Sequence, residues 1–145
     1  MTADPTEIAT FAAVAVTLYA GHLVGDHWIQ TDHQAETKDQ PGKPGRLAAA
    51  EHVATLTATQ AAFLALVAWV LALPLTVLGL VLGLGVNAAT HYWADRRVTL
   101  KALADRVGKG KLWTLGEPVG GGAYALDMSW HVGWIVPAAL LIAAV

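Results

Sequence analysis

Residues 53–73 carry no charged side chain. As a helix rising about 1.5 Å per residue, that stretch covers roughly 30 Å, the hydrocarbon thickness of a bilayer. The whole chain is 55% hydrophobic and only 14% charged, whereas soluble domains are typically about 25% charged. The stretch therefore reads as a membrane span, and others like it follow along the chain. Spans are expected at about 8–26, 47–73, 74–92 and 123–145, giving an all-α integral membrane four-helix bundle in a single domain. The first span is expected to be retained, because Asp4 and Glu7 stand where a signal peptide would carry basic residues.

The connections have distinct characters. Residues 40–45, Gln-Pro-Gly-Lys-Pro-Gly, read as a loop, and Pro74 marks a link short enough to make spans two and three an antiparallel hairpin. Residues 96–107 mix Leu100 and Leu103 with charges, which predicts a short interfacial helix. Residues 108–122 are glycine-rich and irregular, and Gly120-Gly121-Gly122 lacks the lysine of a phosphate-binding loop. Gly79 and Gly83 form a small-xxx-small pair that permits close helix contact, a candidate route to a homo-oligomer.

All nine basic residues fall in two loops. Lys38, Lys43 and Arg46 lie between spans one and two, and Arg96, Arg97, Lys101, Arg106, Lys109 and Lys111 between spans three and four. The positive-inside rule places both loops in the cytoplasm and both termini outside. Trp28, Trp93 and Trp130 fall near the same boundary, as an aromatic belt would. The net charge of −2 gives no basic face for nucleic acid, and the absence of cysteine excludes disulfides, thiolate zinc sites and iron–sulfur clusters.

Against this apolar background, histidine and aspartate recur at helical spacing. His22, Asp26 and Gln30 stand four apart and would form one polar ridge on a helix. His91 and Asp95 repeat the spacing, and Asp127 and His131 reverse it. Spans one and three run inward and span four outward, so in all three pairs the histidine lies one turn deeper than the aspartate. His52 begins span two at the same level, where Ala48 occupies the slot of a matching acid and Glu51 points elsewhere. Ionisable groups inside a span are costly unless paired or hydrated, which makes the group a functional candidate.

Imidazoles and carboxylates converging from several helices suit a metal centre in the bundle core. His22, His52, His91 and His131 are the candidate ligands. Asp26, Asp95 and Asp127 are candidate ligands, orienters of the imidazoles or a general base. The donors fit a divalent ion (zinc, manganese, iron or nickel), and such an ion could activate water for hydrolysis. Gln30 and Asn87 are candidates for supporting roles, Gln30 with a solvated interface as its alternative and Asn87 with interhelical hydrogen bonding. Thr55 and Thr59 are expected to bond the helix backbone, and His27 and His33 to lie outside the site. Arg96 and Arg97 set topology and could attract an anionic headgroup.

His22-Leu23-Val24-Gly25-Asp26 with Gln30-Thr31-Asp32, His91-Tyr92-Trp93-Ala94-Asp95 and Asp127-Met128-Ser129-Trp130-His131 resemble the domain-of-unknown-function 3307 family. Thr90-His91-Tyr92-Trp93-Ala94-Asp95-Arg96-Arg97 and Gly122-Ala123-Tyr124-Ala125-Leu126-Asp127 resemble its actinobacterial branch. The resemblance covers nearly the whole chain. It implies a small multi-pass protein of a bacterial cytoplasmic membrane and brings no established activity. More loosely, the His-x-x-x-Asp pattern is similar to membrane-bound metal-dependent hydrolases, from which span two departs with one histidine and no spaced acid. The leading expectation is a metal-binding membrane protein, acting as a hydrolase on a lipid or lipid-linked substrate at the cytoplasmic face. Two alternatives stand beside it: His/Asp pairs that only lock the bundle, and a haem or proton-relay protein.

Overall fold

The computed structural model describes residues 4–116 and 121–145. Among these residues all regular structure is helical. The first helix, α1 (Pro5–Val24), runs into a π-helical turn over Gly25–Ile29, followed by a short α2 (Asp32–Thr37). Then come α3 (Gly42–Leu71), α4 (Val77–Asp95), α5 (Val98–Arg106), α6 (Gly110–Trp113) and α7 (Gly121–Ala144). Four of the helical stretches are long and apolar enough to cross a membrane: Pro5–Ile29, Gly42–Leu71, Val77–Asp95 and Gly121–Ala144.

Local chemistry sets the helix starts. Asp4 caps α1 by accepting from the Thr6 amide at 2.9 Å, while Glu7 reaches back to the Asp4 amide, and Pro5 takes the first turn where no donor is needed. Thr31 and Gln34 form the same reciprocal box at the start of α2, a Thr-x-x-Gln signal that makes residues 32–37 helical where a polar connection was expected. The expected loop over residues 40–45 is shorter than its composition suggests. Pro41 stands at the N-cap position of α3, so Lys43, Pro44 and Gly45 already lie in its first turn, where proline is tolerated. At the other end of α3, Ala72 takes a left-handed conformation with φ of 50° and closes the helix.

The four long helices form a ring in which α1 packs on α3, α3 on α4, α4 on α7, and α7 on α1. Each is antiparallel to its neighbours in the chain. Both basic loops therefore lie at one end of the bundle and the α3–α4 link at the other. Val14, Leu18, Leu64, Ile135, Ala138, Ala139 and Ile142 make the core toward the α3–α4 link. Ala94, Leu100, Ala104, Trp113 and Ala123 make a second core at the basic end, where α5 and α6 fold against α4 and α7. Trp93 and Trp130 stack beside it with centroids 4.7 Å apart, whereas Trp28 is exposed. Large apolar residues such as Val16, Leu66, Trp69, Val81 and Leu140 face outward, as lipid-facing positions do.

Glycines set close approaches between the long helices. A Cβ on Gly21 would lie 2.9 Å from Gln60 Cγ, and one on Gly25 would lie 3.0 Å from Leu56 Cγ, so α1 meets α3 beside His22 and Asp26. Gly79 and Gly83 do the same between α4 and α7, where a Cβ on Gly83 would lie 2.6 Å from the Ala138 carbonyl oxygen. The expected glycine contact thus forms within the chain. Because α7 covers that face, Gly79 and Gly83 do not offer a surface for a homo-oligomer. Of the glycine run before α7, Gly121 and Gly122 open the helix and Gly120 lies outside the described residues.

Candidate metal centre

The approach of α1 to α3 carries His22 and Asp26 toward His52, and the ring of helices brings His91, Asp95, Asp127 and His131 to the same level. His22, His52, His91, Asp95 and His131 are buried, while the Asp26 and Asp127 side chains are 14% and 21% exposed. All seven residues proposed from spacing therefore meet at the basic end of the bundle. The rings of His91 and His131 stack with centroids 3.9 Å apart. His22 lies 5.1 Å from His131 and 5.4 Å from His91, and His52 lies 5.2 Å from His91.

The donor atoms sit closer still. His52 Nε2 and His91 Nε2 are 3.1 Å apart. Asp26 Oδ1 lies 3.3 Å from the former and 3.6 Å from the latter. Asp95 Oδ2 lies 3.4 and 3.2 Å from the same two nitrogens. On the α7 side, His131 Nε2 is 3.4 Å from Asp127 Oδ1 and 3.9 Å from Asp95 Oδ1. His22 Nδ1 stands 3.6 Å from Asp26 Oδ2. Despite this crowding, His22 Nε2, Asp26 Oδ1, Asp95 Oδ2, Asp127 Oδ1 and His131 Nε2 are buried without a hydrogen-bond partner. Buried polar atoms in folded proteins are normally satisfied. A cation set among these atoms would satisfy them together. Three groups drawn from these residues have ligand atoms close enough to hold a metal ion. The bundle thus contains a His/Asp cluster suited to metal coordination.

Spacing alone does not reveal Lys38, beside the cluster, or Gln60, which bonds Leu18 and Asn87. Lys38 donates from Nζ to Asp95 Oδ1 at 2.8 Å, its side chain only 14% exposed. In sequence Lys38 signals topology alone, and nothing around it points to Asp95, 57 residues away. Arg96, a candidate for headgroup binding, instead donates to the backbone carbonyls of Lys38 and Gln40. Arg96 thereby ties the α2–α3 link over the site. Gln60 was also overlooked: it donates to the Leu18 carbonyl at 3.1 Å and accepts from Asn87 at 2.9 Å. A glutamine inside an uncharged span was the available signal.

The supporting residues differ from expectation. Asn87 takes the interhelical role through Gln60, not that of a group holding the imidazoles. Gln30 does not continue the His22–Asp26 ridge. In the π-helical turn its amide bonds to the Gly25 carbonyl five residues back, and its backbone then turns extended. Its side-chain Nε2 is buried without a partner. His27 and His33 are exposed and stand apart from the cluster, His27 facing the Tyr124 hydroxyl at 3.4 Å. Thr55 and Thr59 bond the backbone carbonyls of His52 and Thr55, as expected. Comparison of the chain with protein-family models, curated proteins and solved structures returns no match.

Proposed function

We propose that this protein binds a divalent metal ion between Asp26, His52, His91 and Asp95, and uses it to hydrolyse a lipid or lipid-linked substrate at the cytoplasmic face of a bacterial membrane. One observation carries the reading. Metal–nitrogen and metal–oxygen bonds of about 2.0–2.2 Å place the ligands of a tetrahedral ion about 3.3–3.6 Å apart. His52, His91 and Asp95 form one buried set able to hold an ion, with donor separations of 3.1, 3.4 and 3.2 Å, and Asp26 Oδ1 lies 3.3 and 3.6 Å from the two nitrogens. Two imidazoles with two carboxylates suit zinc, manganese, iron or nickel.

Such an ion polarises a substrate oxygen and makes water a nucleophile at neutral pH. The chain's own residues hold and orient. Asp26 and Asp95 supply the negative charge, His22 Nδ1 steadies Asp26, and Lys38 holds Asp95 from the loop side. Asp26 and Asp127 are the carboxylates of the cluster with side chains partly open, 14% and 21% exposed. A bundle held together by His/Asp pairs alone explains the burial and the approaches of 3.2–3.4 Å, but leaves His22 Nε2 without a counterpart. A haem held between two imidazoles would need rings on either side of a macrocycle, and the four ring pairs with centroids 3.9–5.4 Å apart leave no such gap.

The cytoplasmic placement rests on the basic loops, and with it the interfacial position of α5. Membership of the domain-of-unknown-function 3307 family rests on the quoted motifs. Elemental analysis of the protein purified in mild detergent should find at least one stoichiometric divalent metal, lost in His91→Ala. A metal-free preparation that takes up none of zinc, manganese, iron or nickel would sink the proposal. Thiol labelling of intact cells tests orientation: Val145→Cys should react with impermeant reagent and Gln40→Cys should not. The reverse pattern would overturn the cytoplasmic placement.

A further inference from the structure

One ion in the Asp26–His52–His91–Asp95 set leaves the α7 side unexplained. Asp127 Oδ1 and His131 Nε2 are buried, make no hydrogen bond, and face each other at 3.4 Å. They group with Asp95 as a possible metal set, just as His52 and His91 do. Asp95 belongs to both groups and presents a different oxygen to each. Oδ2 faces His52 and His91 at 3.4 and 3.2 Å, while Oδ1 faces His131 at 3.9 Å. A carboxylate placed this way has the geometry to bridge two ions.

We propose that the bundle holds two divalent ions, the second bound by Asp127 and His131 and joined to the first through the Asp95 carboxylate. The inference rests on the metal reading of the site and adds a second ion to it. His22 supplies a further donor: its Nε2 is buried without a partner and its ring lies 5.1 Å from that of His131. Ions about 3.5–4 Å apart clamp the attacking and leaving oxygens of a displacement, as in phosphatases and nucleases.

Charge orders the two sites. With neutral imidazoles, three carboxylates (Asp26, Asp95, Asp127) and one ammonium (Lys38) sum to −2. The first ion neutralises that charge, and the second adds two positive charges to a buried space. It therefore needs an accompanying anion, and an oxyanion such as phosphate meets that need. Lys38 Nζ stands 2.8 Å from Asp95 Oδ1, the oxygen the second ion requires. Its flexible stem lets it withdraw toward the loop and the arriving anion.

The test is a titration of metal-free protein in mild detergent with Mn²⁺, read by equilibrium dialysis and electron paramagnetic resonance. One equivalent should bind tightly, and a second roughly tenfold more weakly or worse, tightened by inorganic phosphate. As the second binds, the hyperfine-split signal of isolated Mn²⁺ should give way to that of an exchange-coupled pair. Asp127→Asn should retain the first equivalent, which also reports an intact fold, and lose the second together with the coupling. Saturation at one equivalent, or a second Mn²⁺ that stays magnetically isolated, overturns the two-ion centre and leaves the one-ion proposal standing. A coupled pair in Asp127→Asn likewise overturns the assignment. No binding at all brings down both readings.

Discussion

Lys38→Met keeps the stem of the side chain and deletes the ammonium 2.8 Å from Asp95 Oδ1. Asp95 is 2% exposed and Lys38 14%, so the pair is largely out of water. Removing one partner of a buried pair costs about 3–5 kcal/mol, because the other charge is left uncompensated. Lys38 keeps some exposure to solvent, which favours the lower end. For a chain of this size each kcal/mol moves the unfolding midpoint by about 2–4 °C. The metal-free variant should therefore unfold roughly 6–12 °C lower than the native protein. A divalent ion on Asp95 Oδ2 compensates the same carboxylate, so with saturating Zn²⁺ the drop should shrink to less than half. Thermal unfolding in mild detergent, followed by tryptophan fluorescence with chelator and with Zn²⁺, gives the four corners of the cycle. Equal drops with and without metal would refute the reasoning, since the lysine and the ion would then not act on one carboxylate.

The α4–α7 contact makes a second test. A Cβ on Gly83 would lie 2.4 Å from Ile142 Cγ1 and 2.6 Å from the Ala138 carbonyl oxygen, while one on Gly85 meets nothing within 4 Å. Gly83→Ala should cost about 1–3 kcal/mol by overpacking, and Gly85→Ala should gain about 0.5–1 kcal/mol; matching midpoints would contradict the packing. Gln60→Leu leaves the Asn87 amide without its acceptor, so stability should fall by about 1–3 kcal/mol with metal content unchanged. Metal loss in that variant would place Gln60 in the site. His33→Ala, on the exposed side of α2, should alter neither midpoint nor metal content in the same assays.

How much of this was legible follows from where each signal lives. The His22/Asp26, His91/Asp95 and Asp127/His131 pairs could be read from spacing, because a helix puts i and i+4 on one face and the cost of lipid exposure turns that face inward. Their shared level followed from counting spans and basic loops. Gln30 did not follow the same rule, because spacing assumes an α-helix to its end. The π-helical turn at Gly25–Ile29 takes one residue more, and it closes where Gly25 lets α1 press on Leu56. Lys38 was illegible for a different reason. Its partner is distant in sequence, and only the folded loop joins them. The glycines show the same boundary: Gly79 and Gly83 announce close contact in sequence, but not that the contacting helix is α7 of the same chain.

The loop that delivers Lys38 depends on a residue that touches none of the histidines or aspartates. Arg96 follows Asp95 at the end of α4, and its guanidinium reaches the carbonyls of Lys38 and Gln40. Gly45, in the first turn of α3, leaves the room for this. A Cβ there would lie 1.9 Å from the Gln40 carbonyl oxygen and 2.7 Å from Arg96 Nη1. Both are held groups, so Gly45→Ala must displace the α2–α3 link. The displacement breaks the path from Arg96 to Lys38 and thence to Asp95. Gly45→Ala should therefore reproduce the signature of Lys38→Met, a loss of stability that is larger in chelator than in Zn²⁺. Combined in one chain, the two substitutions should cost less than the sum of their separate effects, because the second removes an interaction the first has already broken. If Gly45→Ala lowers the midpoint equally with and without metal, or if the two effects add, the link is ordinary packing. Lys38 would then reach Asp95 without the help of Arg96.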